Sequence, residues 1–243
     1  MLINTNLKQC KDLALAFLHT PIEETKYSPI VVIHPIFESG FYHHIENGEP
    51  KLANMLQDKA AFKKAIKKAE ERINKASDVG SVYCIIRKSY RLTFLKYAKK
   101  YLSKADFSEL FADAWVGSEN PNQDKNVRVS TLASWFRQAD KKILMTEEDY
   151  SVYKALPETL TVYRGVAVGR NPYGLSWTAN HDTAEWFAHR FDKPDDEGYI
   201  QVAFINKSQV LAYFNTRGED EIVVDSKELE IEIFPEREGK NDS

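Results

Sequence analysis

Cysteine is almost missing from this chain. Cys10 and Cys84 are the only two in 243 residues, so there is no disulfide framework, and neither lies at a metal-ligand spacing. Both are expected to be plain packed or surface thiols. Long apolar runs are missing too: none approaches the roughly 20 residues that cross a bilayer. The first dozen residues lack the basic, apolar and small-residue order of a secretory signal. A cytoplasmic chain without a membrane partner is therefore expected. Walker and Rossmann glycine patterns do not occur. His43-His44 has no acid or thiol at ligand spacing, His181 and His189 merely flank an aromatic segment, and no metal is expected.

What is present is a globular composition, 43% hydrophobic and 28% charged, long enough for one large domain or two small ones. Charge is unevenly spread. Residues 1–155 carry 24 Lys/Arg against 19 Asp/Glu, and residues 156–243 carry 9 against 17. Opposite charge in the two halves suggests two functional regions.

The hydrophobic period changes along the chain as well. Residues 51–76, with Leu52, Met55, Leu56, Phe62, Ile66 and Ile73, read as one helix, and residues 89–103 as another. A third starts near Asp106 and ends at Gly117. Residues 117–124 form a loop. A further helix runs from Ser130 or Thr131 to about Leu144, and Thr146 caps the next with acids in its first turn. After Pro157 strands take over: 160–165, 199–205, 210–214, 222–224, and an alternating one through Leu229, Ile231 and Ile233. One short helix, 182–191, interrupts them. The expected architecture is α+β: a basic, helical region over 1–155, a β-rich region over 156–235 and a polar tail over 236–243.

Three pieces of the β-rich region carry chemistry. Arg164 closes an apolar strand, and its rigid fork of donors matches phosphate oxygens; Gly165 after it lets backbone approach a ligand. Ser176 and Thr178 flank Trp177 and share a strand face by alternation. Glu219 and Glu221 bracket Asp220 at the mouth of Ile222-Val223-Val224. Paired carboxylates suit cleavage at a sugar carbon, one stabilising an oxocarbenium-like cation and the other preparing the nucleophile. Each piece alone is also what an ordinary surface pair, strand or acidic turn looks like.

In order, with 12 residues from Arg164 to Ser176 and 45 from Ser176 to Glu221, they resemble the Arg-Ser-Glu class of ADP-ribosyltransferases, over about residues 155–235. The likeness is to stand-alone bacterial or phage toxin-type members. It implies a split β-sandwich whose cleft holds NAD as substrate. It also implies roles: Arg164 for an NAD phosphate, Ser176 for the nicotinamide ribose and the catalytic acid, Glu221 for the ribose hydroxyl and the cation, Glu219 for activating the acceptor. Arg164, Gly165, Ser176, Thr178, Trp186, Phe187 and Glu221 would form the NAD site, with an aromatic of the short helix against the nicotinamide. Tyr213, Phe214, Asn215, Arg217 and Glu219 would meet the acceptor. Thr178 replaces the more usual Ser.

The acceptor is expected to be a macromolecule. Glu219 suits an arginine side chain or an exocyclic amine. Residues 87–104 hold seven basic residues and no acid, interleaved with tyrosines, which favours RNA, with Lys96, Lys99 and Lys100 as contacts. Members of this kind act as intracellular toxins in toxin–antitoxin or phage-defence settings, which implies a neutralising antitoxin protein. An arginine-specific protein transferase, an NAD glycohydrolase and a non-catalytic nucleic-acid-binding module are the alternatives.

Overall fold

The computed structural model describes residues 2–26, 28, 30–194 and 196–233. The tail expected at 236–243 lies outside the described residues, as do 234 and 235. Helices and strands are mixed, as an α+β chain requires. The chain forms two compact units, Met1–Ser118 and Glu119–Ser243, so the division falls well before residue 155. Among the described residues no helix is long and apolar enough to cross a membrane.

In the first unit, helix α1 (Leu7–Leu18) starts at Asn6, whose side chain accepts from the Gln9 amide, and buries Cys10, Ala14 and Leu18. Burial pushes the Cys10 thiol up to about 11, with Asp106 adding to it. Two short strands pair next, β1 (Glu23–Glu24) and β2 (Val32–Ile33). A hairpin follows, β3 (Phe41–Glu46) with β4 (Glu49–Asn54). Its turn is Asn47-Gly48, both at positive φ, 54° and 83°, the two-residue geometry that matches strand twist. The helix expected from residue 51 therefore starts later. Residues 51–54 are strand, and α2 (Lys59–Lys75) begins after Asp58, whose carboxylate caps Ala60 and Ala61. Its buried stripe is Ala61, Ala65, Ala69 and Ile73, four apart, the three alanines being small enough to let it lie close to its neighbours. The short α3 (Val79–Tyr83) precedes α4 (Arg91–Ala98) and the Ser103-capped α5 (Lys104–Gly117).

Aromatics fill this unit's core. Phe17 meets Phe94 edge-on at 5.9 Å, and Phe107 stacks on Phe111 at 5.7 Å. Fully burying one such ring stabilises by roughly 1.5–3 kcal/mol. Two of the seven basic residues in 87–104 belong to this interior. Arg87 Nη1 donates to the carbonyls of Val32, His34 and Phe37 at 2.8, 3.2 and 3.1 Å. Arg91 donates to Asp113 at 2.6 Å and lies over the Tyr83 ring. The free basic face is smaller than its sequence suggests.

In the second unit, α6 (Val129–Gln138), α7 (Lys141–Leu144) and α8 (Glu147–Ala155) lead into an antiparallel sheet. The expected single helix to Leu144 breaks at Ala139, and Thr146 caps α8 as its position requires. The strands are β5 (Thr159–Val166), β6 (Ser176–Thr178), β7 (Tyr199–Asn206), β8 (Val210–Phe214), β9 (Glu221–Val224) and β10 (Glu232–Ile233), with α9 (His181–His189) after β6. Their order is β10-β7-β5-β6-β9-β8. Eight residue pairs join β5 to β7, but one alone, Tyr163↔Thr178, joins β5 to β6. Two three-stranded halves are thus hinged on a single pair.

Residues 119–155 were expected with the first region, but side chains tie them to this sheet. Arg137 Nη2 bridges Asp225 and Glu228 at 2.9 and 2.7 Å. Lys141 Nζ donates to the Val210 carbonyl at 3.2 Å, and Asp149 accepts from the Asn215 amide at 3.1 Å. Phe136 packs on Phe214.

Candidate functional site

The three motif pieces meet where the sheet halves join. Thr178 of β6 pairs with Tyr163 of β5 on one side and with Glu221, the first residue of β9, on the other. Directly opposed residues project to one face, so Thr178 and Glu221 stand side by side. Ser176, two residues along, shares that face. Trp177 lies on the other, where its indole N–H donates to Ser226 Oγ at 3.1 Å.

Arg164 is buried, 9% exposed. Its Nη1 donates to the Ser176 carbonyl at 2.6 Å and its Nη2 to the Asn171 carbonyl at 2.9 Å. Gly174 leaves room for this fork: a Cβ there would lie 2.2 Å from Nη2. Burial draws the guanidinium pKa down to about 10, with the Glu221 carboxylate and then Tyr199 opposing the shift. It stays cationic at neutral pH, within the field of Glu221. Part of the fork expected to face a phosphate therefore clamps the segment that carries Ser176. Arg164 Nε is buried and has no hydrogen-bond partner among the described residues. Gln201, opposite Arg164 on β7, is 6% exposed, and its Oε1 also has no partner. Buried polar atoms are seldom left this way, and a donor and an acceptor side by side suit a polar ligand.

Gly165 has a different reason from the one its position suggested. A Cβ there would lie 2.1 Å from the Ala184 carbonyl oxygen and 2.5 Å from the Ala188 amide. The backbone that comes close is that of α9, not a ligand. The helix packs on β5 through Ala184 and Ala188, with Tyr163 and Ile200 around them.

Asn122 has no signature in the sequence beyond a polar loop. Its Nδ2 donates to Ser176 Oγ at 3.0 Å, its Oδ1 accepts from the Leu175 amide at 2.7 Å, and its carbonyl accepts from Asn171 Nδ2 at 3.2 Å. One buried side chain thus orients the serine hydroxyl and the strand that bears it.

The acidic triplet is not simple strand. Asp220 takes φ 47° and its carboxylate accepts from the Tyr213 hydroxyl at 2.5 Å, while its amide donates to Asn215 Oδ1 at 3.1 Å. Alternation therefore does not carry Glu219 onto the Glu221 face; Glu219 sits in the preceding bend, half-buried. Tyr213 and Phe214 were expected to touch an acceptor, yet both are buried. Burial, then Asp220, pushes the Tyr213 phenol up. Asn215 and Arg217 lie in the exposed loop between β8 and β9. Trp186 is largely exposed and Phe187 half-buried, in edge-to-face contact at 4.9 Å.

Lys96, Lys99 and Lys100 belong to the first unit. Each ammonium lies near an aromatic face, of Tyr97, Phe107 and Tyr101 respectively, and burial lowers the pKa of Lys99. His181, Asp182 and Glu185 place potential ligand atoms within 4.8 Å of one another, but they are neighbours on one helical turn with Asp182 in solvent. The first unit also holds a cavity of about 400 Å³, whose lining includes Thr5, Asp78, Asp106 and Glu109. Its Asp78 and Asp106 accept hydrogen bonds from their own neighbours, and none of the motif residues reaches it.

No protein-family model matches this chain, and neither a curated protein nor a solved structure matches it. The likeness to ADP-ribosyltransferases thus rests on the order and spacing of the motif residues.

Proposed function

We propose that the second unit is an NAD-dependent mono-ADP-ribosyltransferase, with RNA as the favoured acceptor. The observation that supports it is proximity: Ser176, Thr178 and Glu221 share one face of adjacent strands, and Arg164 on the next strand holds the Ser176 carbonyl within the field of Glu221. The buried, unpartnered Arg164 Nε and Gln201 Oε1 beside them suit a polar ligand.

In this reading the bond between the nicotinamide nitrogen and ribose C1′ breaks, and its electron pair leaves with neutral nicotinamide. Glu221 stabilises the cation left on the ribose. Ser176, held by Asn122, positions the ribose. An amine of the acceptor attacks C1′, and its proton passes to Glu219. Arg164 acts mainly by fixing the Ser176 segment and by keeping a positive charge near Glu221. Acting inside the producing cell, such an activity is toxic and calls for a neutralising protein.

Glu221→Gln keeps the shape and removes the charge. NAD turnover should fall about 10²–10⁴-fold, the scale of losing one transition-state-stabilising group, with an unchanged circular dichroism spectrum. Labelled NAD in a cell lysate then identifies the acceptor by whether RNase, DNase or protease removes the label. Release of nicotinamide without labelled macromolecules indicates a glycohydrolase. Turnover that survives Glu221→Gln removes the assignment.

A further inference from the structure

Near the C-terminal end of α9, the second unit gathers two arginines and an unusual amount of exposed aromatic surface. Arg190 places its guanidinium 5.1 Å from the Trp186 ring, 4.7 Å from Phe187 and 4.8 Å from Phe191. Arg170 places its guanidinium 5.4 Å from the Phe191 ring. Trp186 is 60% exposed and Phe191 48%.

The cations are not there to pair with acids. Among the described residues Arg190 has no hydrogen bond through its guanidinium and no ion pair, and the Arg170 guanidinium has one long contact, 3.4 Å to Gln123 Oε1. Glu219 and Glu119 lie near enough for Arg190 to feel their charge, but neither forms an ion pair with it. Burial and then Arg170 lower the pKa of Arg190, so two like charges face each other at some cost. Local structure holds them there. Gly169 takes φ 72°, the Arg170 amide closes a turn onto the Ala167 carbonyl at 2.9 Å, and Gln123 Nε2 holds the Gly169 carbonyl at 3.0 Å.

Two like-charged guanidiniums without a carboxylate bridge suit an anion. Two solvent-facing rings suit flat, apolar partners. Single-stranded nucleic acid supplies both in alternation: phosphates for the arginines, bases for the rings. An acidic peptide would use the charge and leave the indole bare.

We infer that Trp186, Phe191, Arg170 and Arg190 form a stacking platform for single-stranded RNA. This places the nucleic-acid contact on the second unit rather than on Lys96, Lys99 and Lys100. Strand binding here stands by itself; naming the strand as acceptor rests on the transferase reading. Glu219, whose charge Arg190 feels, would then lie next to the bound bases.

The test uses the full chain without NAD and a fluorescein-labelled, unstructured 12-nucleotide RNA. Anisotropy should report binding that weakens steeply with salt. Trp186→Ala should weaken it on the order of tenfold, and Trp186→Phe should restore most of that. Changing Arg170 and Arg190 together to Gln should flatten the slope of log affinity against log salt by about 1.4, two phosphates' worth. Inorganic polyphosphate of equal charge should bind less tightly and ignore Trp186→Ala. The inference fails if these variants, correctly folded by circular dichroism, bind like the parent while Lys96, Lys99 and Lys100 to Ala abolishes binding. It also fails if NAD displaces the RNA and Trp186→Ala weakens NAD instead, because the surface then belongs to the dinucleotide. RNA binding at the platform without any NAD turnover would remove the transferase reading and leave the platform; NAD turnover without platform binding would do the reverse.

Discussion

The two units use arginine in the same way and differ in what they leave over. Arg87 in the first unit and Arg164 in the second both give guanidinium hydrogens to backbone carbonyls. In the first unit this closes the interior: the nearby His34 ring is satisfied on both nitrogens, by the Ile36 and Phe37 amides and the Leu18 carbonyl. In the second unit the same device leaves Arg164 Nε and Gln201 Oε1 unmet, and places Glu221 where its field reaches the cation. The first unit is not fully satisfied either: among its described residues His44 Nδ1 is buried without a partner. Unmet polar atoms beside a carboxylate are what a ligand site has before its ligand binds.

The sharpest way to probe this contrast is at glycine. Gly165→Ala would drive a Cβ into the α9 backbone, where nothing flexible can yield, and should destabilise the second unit by about 3 kcal/mol or more. Gly117 of the first unit meets nothing within 4 Å, so Gly117→Ala should change stability by less than about 0.5 kcal/mol. Urea unfolding followed by circular dichroism measures both. Equal effects would mean that α9 does not rest on β5 as described.

Asn122→Ala should come next. It strands the Leu175 amide and frees the Ser176 hydroxyl, a loss of about 1–3 kcal/mol, read from the same denaturation curves. If NAD turnover is present, it should fall more than stability alone explains, because the serine loses its orientation. Asn122→Asp, which keeps the acceptor for Leu175, should recover stability better than turnover.

A smaller effect distinguishes the units by pH. Burial, with Arg87 adding to it, lowers the pKa of His34 below its ordinary 6.5, while its backbone contacts oppose the shift. The unfolded chain therefore takes up a proton first as pH falls through about 6.5, and the first unit loses stability from there downward until His34 itself titrates. Melting temperature measured from pH 7.5 to 5 should drop in the parent and drop less in His34→Gln, even if that variant starts lower. Parallel curves would remove His34 as the source.

A small effect is also expected from Lys96, Lys99 and Lys100 changed together to Ala. Stability should move by about 1 kcal/mol or less, the scale of exposed cation–aromatic contacts. A larger loss would mean that these lysines are structural, like Arg87 and Arg91.

Local signals in the sequence located most elements because each is made by nearby residues. Thr146 caps α8 by accepting from the Asp149 amide, and the apolar runs at 210–214 and 222–224 are strands because short continuous apolar runs buried on both faces fit little else. The hairpin at 41–54 was equally legible in Asn47-Gly48, but the helical spacing of Leu52, Met55 and Leu56 competes with it. Pairing to β3 decided in favour of strand. The motif residues were legible as types and spacings. Their surroundings were not: that Arg164 would clamp Ser176, that Gly165 would admit α9, and that Asn122 would hold a hydroxyl 54 positions away. Nor does the acidic triplet announce that Asp220 would turn out of strand geometry toward Tyr213. Caps, turns and periodicities act over a few residues, so the sequence by itself determined the elements and the order of the candidate motif. Which donor meets which acceptor across 40 to 60 intervening residues depends on how strands pair and helices pack, and only the tertiary structure decided that.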